Sequence, residues 1–175
     1  FVAIELPTEI SLFLRIHQNG LPNTQWTSAS HMHLTLHFIG EVSQEQLRDI
    51  EAGLSTIQIV AFSLQINKFD FFKQNLQAIL WAGIEHSTDL LKLQSQVVKI
   101  IDSFFIARKN MYNFLPHITI GRMNLIDHLS LQEFSNKRCT VPPTTFIVKS
   151  FTLFKSVLIP GGAVYTAIRH YFLRE

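Results

Sequence analysis

The chain has one cysteine, Cys139, in 175 residues. No internal disulfide can form, and a thiolate metal cage is excluded. No uninterrupted apolar run is long enough to span a bilayer. The opening "FVAIELP" lacks the basic start and small-residue cleavage site of a secretory leader. These absences predict a soluble, cytoplasmic, monomeric protein without a membrane partner. Net charge is scarce, at +2, which permits an anionic partner without requiring one. Low-complexity stretches and long linkers are missing too, so residues 1–175 are expected to form one domain. Apolar content is plentiful: 47% hydrophobic residues with 15 Phe can fill a sizeable core.

Periodicity divides that content into short elements. Strand-like runs occur at 2–6, 32–39, 62–72, 76–84, 117–120, 145–156 and 163–171. Helical spacing occurs at 7–18, 43–57, 87–105 and, more weakly, 129–136. Ser43 followed by Gln46 fits a capping box. The order βαβαββαβαββ predicts an α+β protein with mainly antiparallel pairing, and its approximate internal repeat suggests two similar lobes.

The stretch "HMHLTLHFIG" (31–40) puts His31, His33, Thr35 and His37 at alternate positions of a strand. Alternation sends these side chains to one face and the aliphatic residues to the other. Three imidazoles in a row could be a metal site, a catalytic site or the polar side of an edge strand. A second stretch, "HITI" (117–120), repeats the His-aliphatic-Thr-aliphatic pattern of "HLTL" (33–36) 84 residues downstream. In each copy His and Thr share a strand face, roughly 6–7 Å apart. Two such pairs facing one another suit phosphodiester cleavage by water. One imidazole can accept the proton of water while the other protonates the leaving oxygen, and each hydroxyl can hold a phosphoryl oxygen. Neither a metal nor another cofactor is required by that chemistry. His31 and His37 have no counterpart in the second copy, which weakens the metal reading.

On these motifs the sequence resembles the 2H phosphoesterase superfamily, and more narrowly the RNA 2′,3′-cyclic phosphodiesterases also described as 2′-5′ RNA ligases. Beyond the motifs, "FVAIELP", Trp26 seven residues before His33, "FLPHITIGR" and "FTLFKSVLIPGGAVYTAI" (151–168) carry the likeness over almost the whole chain. The resemblance implies a bilobal α+β fold, with pseudo-twofold lobes of mainly antiparallel sheet, helices outside and a central groove. It implies that RNA 3′ ends or small cyclic nucleotides are the partners, and that a cyclic phosphate is opened to a 2′-phosphate, with 2′-5′ joining in some members. His33 and His117 would be the acid–base pair, with His117 as base and His33 as acid, and Thr35 and Thr119 would hold the phosphate. The same residues could serve other cyclic phosphates or 2′-5′ oligonucleotides, a choice set by groove walls expected in 20–30, 68–76 and 106–115. A non-catalytic binding module is the remaining class.

Further candidates for substrate contact are His37, on the His33 face, and Arg122, which ideal alternation would aim away from His117 unless the strand bends or ends there. Tyr112 and Phe114 are candidates for base stacking. Lys155 and Arg169 read as solvated charge. Gly121, where the resembling families often have alanine, would ease a close backbone approach.

Overall fold

Residues 1–104, 113–124, 128–138, 142–160 and 162–175 are described by a computed structural model of the chain. The strands are β1 (Val2–Glu5), β2 (Thr24–Trp26), β3 (His33–His37), β4 (Phe62–Gln74), β5 (Gln77–Ile84), β6 (His117–Asn124), β7 (Thr144–Val148), β8 (Ser150–Ile159) and β9 (Gly162–Phe172). The helices are α1 (Thr8–Ile16), α2 (Gln44–Leu54), α3 (Thr88–Ser103) and α4 (His128–Arg138).

The helix starts follow from their caps. Pro7 precedes α1, and its carbonyl accepts from Ile10 N and Ser11 N. Ser43 and Gln46 close the expected capping box on α2, with N···O distances of 2.9 and 3.2 Å. Ser87 caps α3 through Leu90 N, and the helix buries Leu90, Leu93, Val97 and Ile101 on one stripe.

All nine strands join one antiparallel sheet in the order β7-β4-β5-β6-β3-β1-β8-β9, with β2 added to β6. The order splits evenly about the β6–β3 seam, with four strands on each side. Helices cover one face, where Leu34 and Ile118 are fully buried opposite each other. Truncating either to alanine would cost about 2–5 kcal/mol. The other face carries the polar residues of both motifs. At one end the outer strands converge. Lys149 alone links β7 to β8, and Arg174 exchanges backbone hydrogen bonds with Ile59 and Ala61 ahead of β4.

Two sequence expectations need correction. The run 145–156 is two strands, broken at Lys149, not one. Its buried aromatic and aliphatic side chains change parity there, from Phe146 and Val148 to Phe151 and Leu153. The first strand pairs with β4 and the second with β1 and β9, on opposite sides of the sheet. β2 was not anticipated, because three residues are too few to show a period.

Candidate active site

The seam strands β3 and β6 bring the two motifs side by side. Leu34 pairs with Ile118, and the antiparallel register therefore sets His33 beside Thr119 and Thr35 beside His117. The four polar side chains form a two-by-two array on the face opposite the helices. His33 and His117 lie on its diagonal, where residues of paired strands are about 7–8 Å apart.

Both imidazoles are held in the same way. His33 Nδ1 donates to His31 O at 2.8 Å, and His117 Nδ1 donates to Leu115 O at 2.7 Å. A carbonyl only accepts, so Nδ1 carries the proton and Nε2 of each neutral ring keeps its lone pair. His31 thus contributes its main-chain oxygen, from a 3-10 turn at Ala29–His31.

Each motif strand then carries a register shift, at Leu36 against β1 and at Ile120 against β5. An extra residue reverses the alternation beyond it. Burial along β6 records this: Ile118, Ile120, Gly121 and Met123 are buried, while Arg122 and Asn124 are exposed. Arg122 pairs with Ile79, two positions from the Trp81–Thr119 pair along β5, and so lies on the same face as His117 and Thr119. That bulge is the bend that a contact between Arg122 and a phosphate requires. His37 needs correction. It pairs with Val2, a fully buried core residue, rather than continuing the face of His33 and Thr35. Burial lowers its pKa, opposed by Asp102 of α3 on the helix side. Phe38, which unbroken alternation would send to the apolar face, takes the groove side instead. It is 71% exposed, with its ring 6.0 Å from that of Phe1.

Aromatic walls flank both histidines. Phe1 (5.1 Å), Tyr165 (5.2 Å, edge-on) and Phe154 (6.4 Å) surround the His33 ring. Phe72 (5.1 Å) and Trp81 (6.1 Å) meet His117 edge-on. Lys68 Nζ lies 5.1 Å from the centre of the Trp81 ring. Beside His33, a pocket of about 200 Å³ is lined by Phe1, Glu5, His31, Phe154 and Tyr165. Glu5 pairs with His33 across the β1–β3 ladder. Its Oε2 accepts from Thr152 Oγ1 at 2.7 Å and lies 3.0 Å from His170 Nδ1.

Charge follows burial here. Desolvation holds the His33 imidazole below the ordinary histidine value of 6.5. The hydrogen bond to His31 opposes that shift, and the neighbouring His31 and His117 rings reinforce it. Among the described residues no three His, Cys, Asp or Glu side chains converge as metal ligands, and no helix is long and apolar enough to cross a membrane.

Of the other candidates, Phe114 is partly buried and packs against the core. Tyr112 lies outside the described residues, as does most of 106–115. Lys155 pairs with Thr166, out of phase with the groove residues Phe154 and Tyr165, and Arg169 stacks on Tyr171. The wall expected at 68–76 is the end of the β4–β5 hairpin, which supplies Lys68 and Phe72. Gly121 is needed for packing: a Cβ there would stand 2.8 Å from Trp26 Cε3 and 3.3 Å from Gln25 O.

The sequence pattern of the LigT-like phosphoesterases matches residues 4–81, which include the first motif. Among curated proteins, the RNA 2′,3′-cyclic phosphodiesterase of Thermotoga maritima is 27% identical, over 96% of this chain and 91% of that protein. The protein of that name from Methanocaldococcus jannaschii is 26% identical over 98% of both. Among solved structures, Escherichia coli LigT in complex with 3′-AMP superimposes with a TM-score of 0.82 at 24% identity, covering 100% of this chain and 97% of that one. A Thermus thermophilus protein gives 0.80 at 24%, covering 99% and 97%. Both share the fold.

Proposed function

We propose that the chain is a LigT-like phosphoesterase and that it hydrolyses the 2′,3′-cyclic phosphate at RNA 3′ ends to a 2′-phosphate. The observation that carries this reading is the pairing of two identically oriented imidazoles across one two-by-two array with two threonines. The names of the curated relatives support the substrate class.

In this reading a phosphodiester sits over the array with its non-bridging oxygens on Thr35 and Thr119. Arg122, turned to the same face, meets their charge. Nε2 of His117 takes a proton from water as the water oxygen bonds to phosphorus. The P–O3′ bond breaks, and Nε2–H of His33 gives its proton to O3′. The product carries a 2′-phosphomonoester and a 3′-hydroxyl. His33 is uncharged in the free protein above its lowered pKa, so it takes up the required proton as the anionic substrate binds. No step passes through a metal. A 5′-hydroxyl in place of water would yield a 2′-5′ linkage by the same transfers.

The test is a short RNA ending in 2′,3′-cyclic phosphate, incubated with the protein in excess EDTA. Ring opening to a product resistant to 3′-phosphatase is expected, with His33→Ala and His117→Ala inactive. A 3′-phosphate product, or undiminished turnover by either variant, would refute the proposal.

A further inference from the structure

Lys68 stands on the groove face in the row of His117, since it pairs with Gly83 and Gly83 pairs with His117. The extra residue Asn67 sets that register. Gly83 makes room for the arrangement. A Cβ there would meet Lys68 Cγ at 2.9 Å, Lys68 Cε at 3.0 Å and Trp81 Cζ3 at 2.9 Å. The lysine stem therefore lies flat across the glycine, and its ammonium is kept beside the Trp81 ring. Trp81 is 3% exposed, and its indole N–H is buried without an acceptor among the described residues.

The two walls differ in charge: the His117 side carries Lys68 and Arg122 against one carboxylate, Asp70, whose Oδ1 accepts from Phe71 N. Glu5 stands beside His33, where the His117 side has Gly83. Among the described residues Lys68 makes no ion pair, whereas Glu5 is engaged with Thr152 and His170. An extended polyanion crossing the groove is thus favoured along the His117 wall and disfavoured along the His33 wall. Lys68 is two strands from β6, about 10 Å at the usual strand spacing. That is too far for its backbone to approach the reacting phosphate and suits a neighbouring one.

We infer that Lys68, held beside the Trp81 ring, binds the phosphodiester one nucleotide upstream of the cyclic end. The preferred substrate is then an oligonucleotide rather than a cyclic mononucleotide. This rests on the cyclic phosphodiesterase reading above and names the substrate class within it.

The experiment compares kcat/KM for a trinucleotide and a mononucleotide, each ending in 2′,3′-cyclic phosphate, across a salt series. The unaltered protein should favour the trinucleotide. Lys68→Ala should reduce that preference about five- to tenfold and lower the salt slope for the trinucleotide by about 0.7, the contribution of one single-stranded phosphate. Lys68→Arg should keep both. Because Lys68 is exposed, loss of folding is not expected, and the denaturation midpoint of each variant checks it. An unchanged preference or salt slope in Lys68→Ala overturns the inference. So does an unaltered protein that opens both substrates equally well, although the cyclic phosphodiesterase reading then stands. Turnover of neither substrate overturns that reading, and this inference with it.

Discussion

Phe38 and Arg122 occupy the same place in the two halves of the groove. Each is the fifth residue after its motif histidine, and each is brought to the groove face by a register shift one residue after its threonine. The repeat is therefore symmetric in backbone and asymmetric in chemistry, with an exposed aromatic ring on one side and a guanidinium on the other. If Arg122 meets the charge of the reacting phosphate, Arg122→Ala should lower kcat/KM about 10- to 100-fold, and Arg122→Lys should recover part of the loss. Steady-state kinetics would show it. A loss under threefold would place Arg122 outside the reaction.

The two histidines can be told apart by the leaving group. A cyclic substrate with sulfur at the 3′ position departs as a thiolate and needs no proton. His33→Ala should therefore regain most of its about 10²–10⁴-fold deficit on that substrate, while His117→Ala stays impaired. Rescue of the His117 variant instead would reverse the assignment of acid and base.

Proton uptake by His33 has a kinetic signature. The kcat/KM profile reports the free enzyme, so its alkaline limb should lie below the ordinary histidine value of 6.5. The kcat profile reports the complex, where a bound anion favours the protonated ring, so its alkaline limb should lie higher. Coincident limbs above pH 7.5 would contradict the burial of His33 as a determinant of its charge.

Stability should fall on mild acidification. His33 and His37 are both held below 6.5 by burial, so the unfolded chain binds more protons than the folded one as pH drops past that value. Their contribution is complete above 6.5 and is lost as pH falls through the folded-state values. Denaturant midpoints at pH 7.5 and 5.5 measure this, and His37→Gln should flatten the slope. An identical slope in that variant would count against His37.

Gly121 is constrained by the Trp26 ring. Gly121→Ala should cost about 1–3 kcal/mol, because a rigid indole and the Gln25 carbonyl both stand against the new Cβ. Pairing it with Trp26→Leu should return part of that stability. An unchanged denaturation midpoint in Gly121→Ala would show that β2 yields freely.

The central array could be read from the sequence because alternation is strict between each His and its Thr. The capping box on α2 was equally visible, being a local four-residue signal. Positions 37 and 38 were misplaced, and the bend that turns Arg122 was not visible, for one reason. A bulge adds a residue without altering composition, and Leu36 and Ile120 are as apolar as any core residue in an ordinary strand. The hidden break at Lys149 did leave a trace, in the parity change between Val148 and Phe151. Lys68 and Trp81 could not be placed at all, since their relation to His117 depends on which strand neighbours which.

The pairing of Ala3 with Thr152 has a consequence for how the protein comes into being. β1 precedes the other described strands and is flanked on one side by β8, which follows most of them, so the half-sheet bearing His33 stays open until β8 is made. Phe154 and Tyr165, which enclose His33, arrive in those closing strands. Neither half of the groove is a contiguous stretch of chain. A polypeptide cut between the two motifs would not yield two smaller domains, and a nascent chain would have no finished active site until β8 and β9 were free to fold.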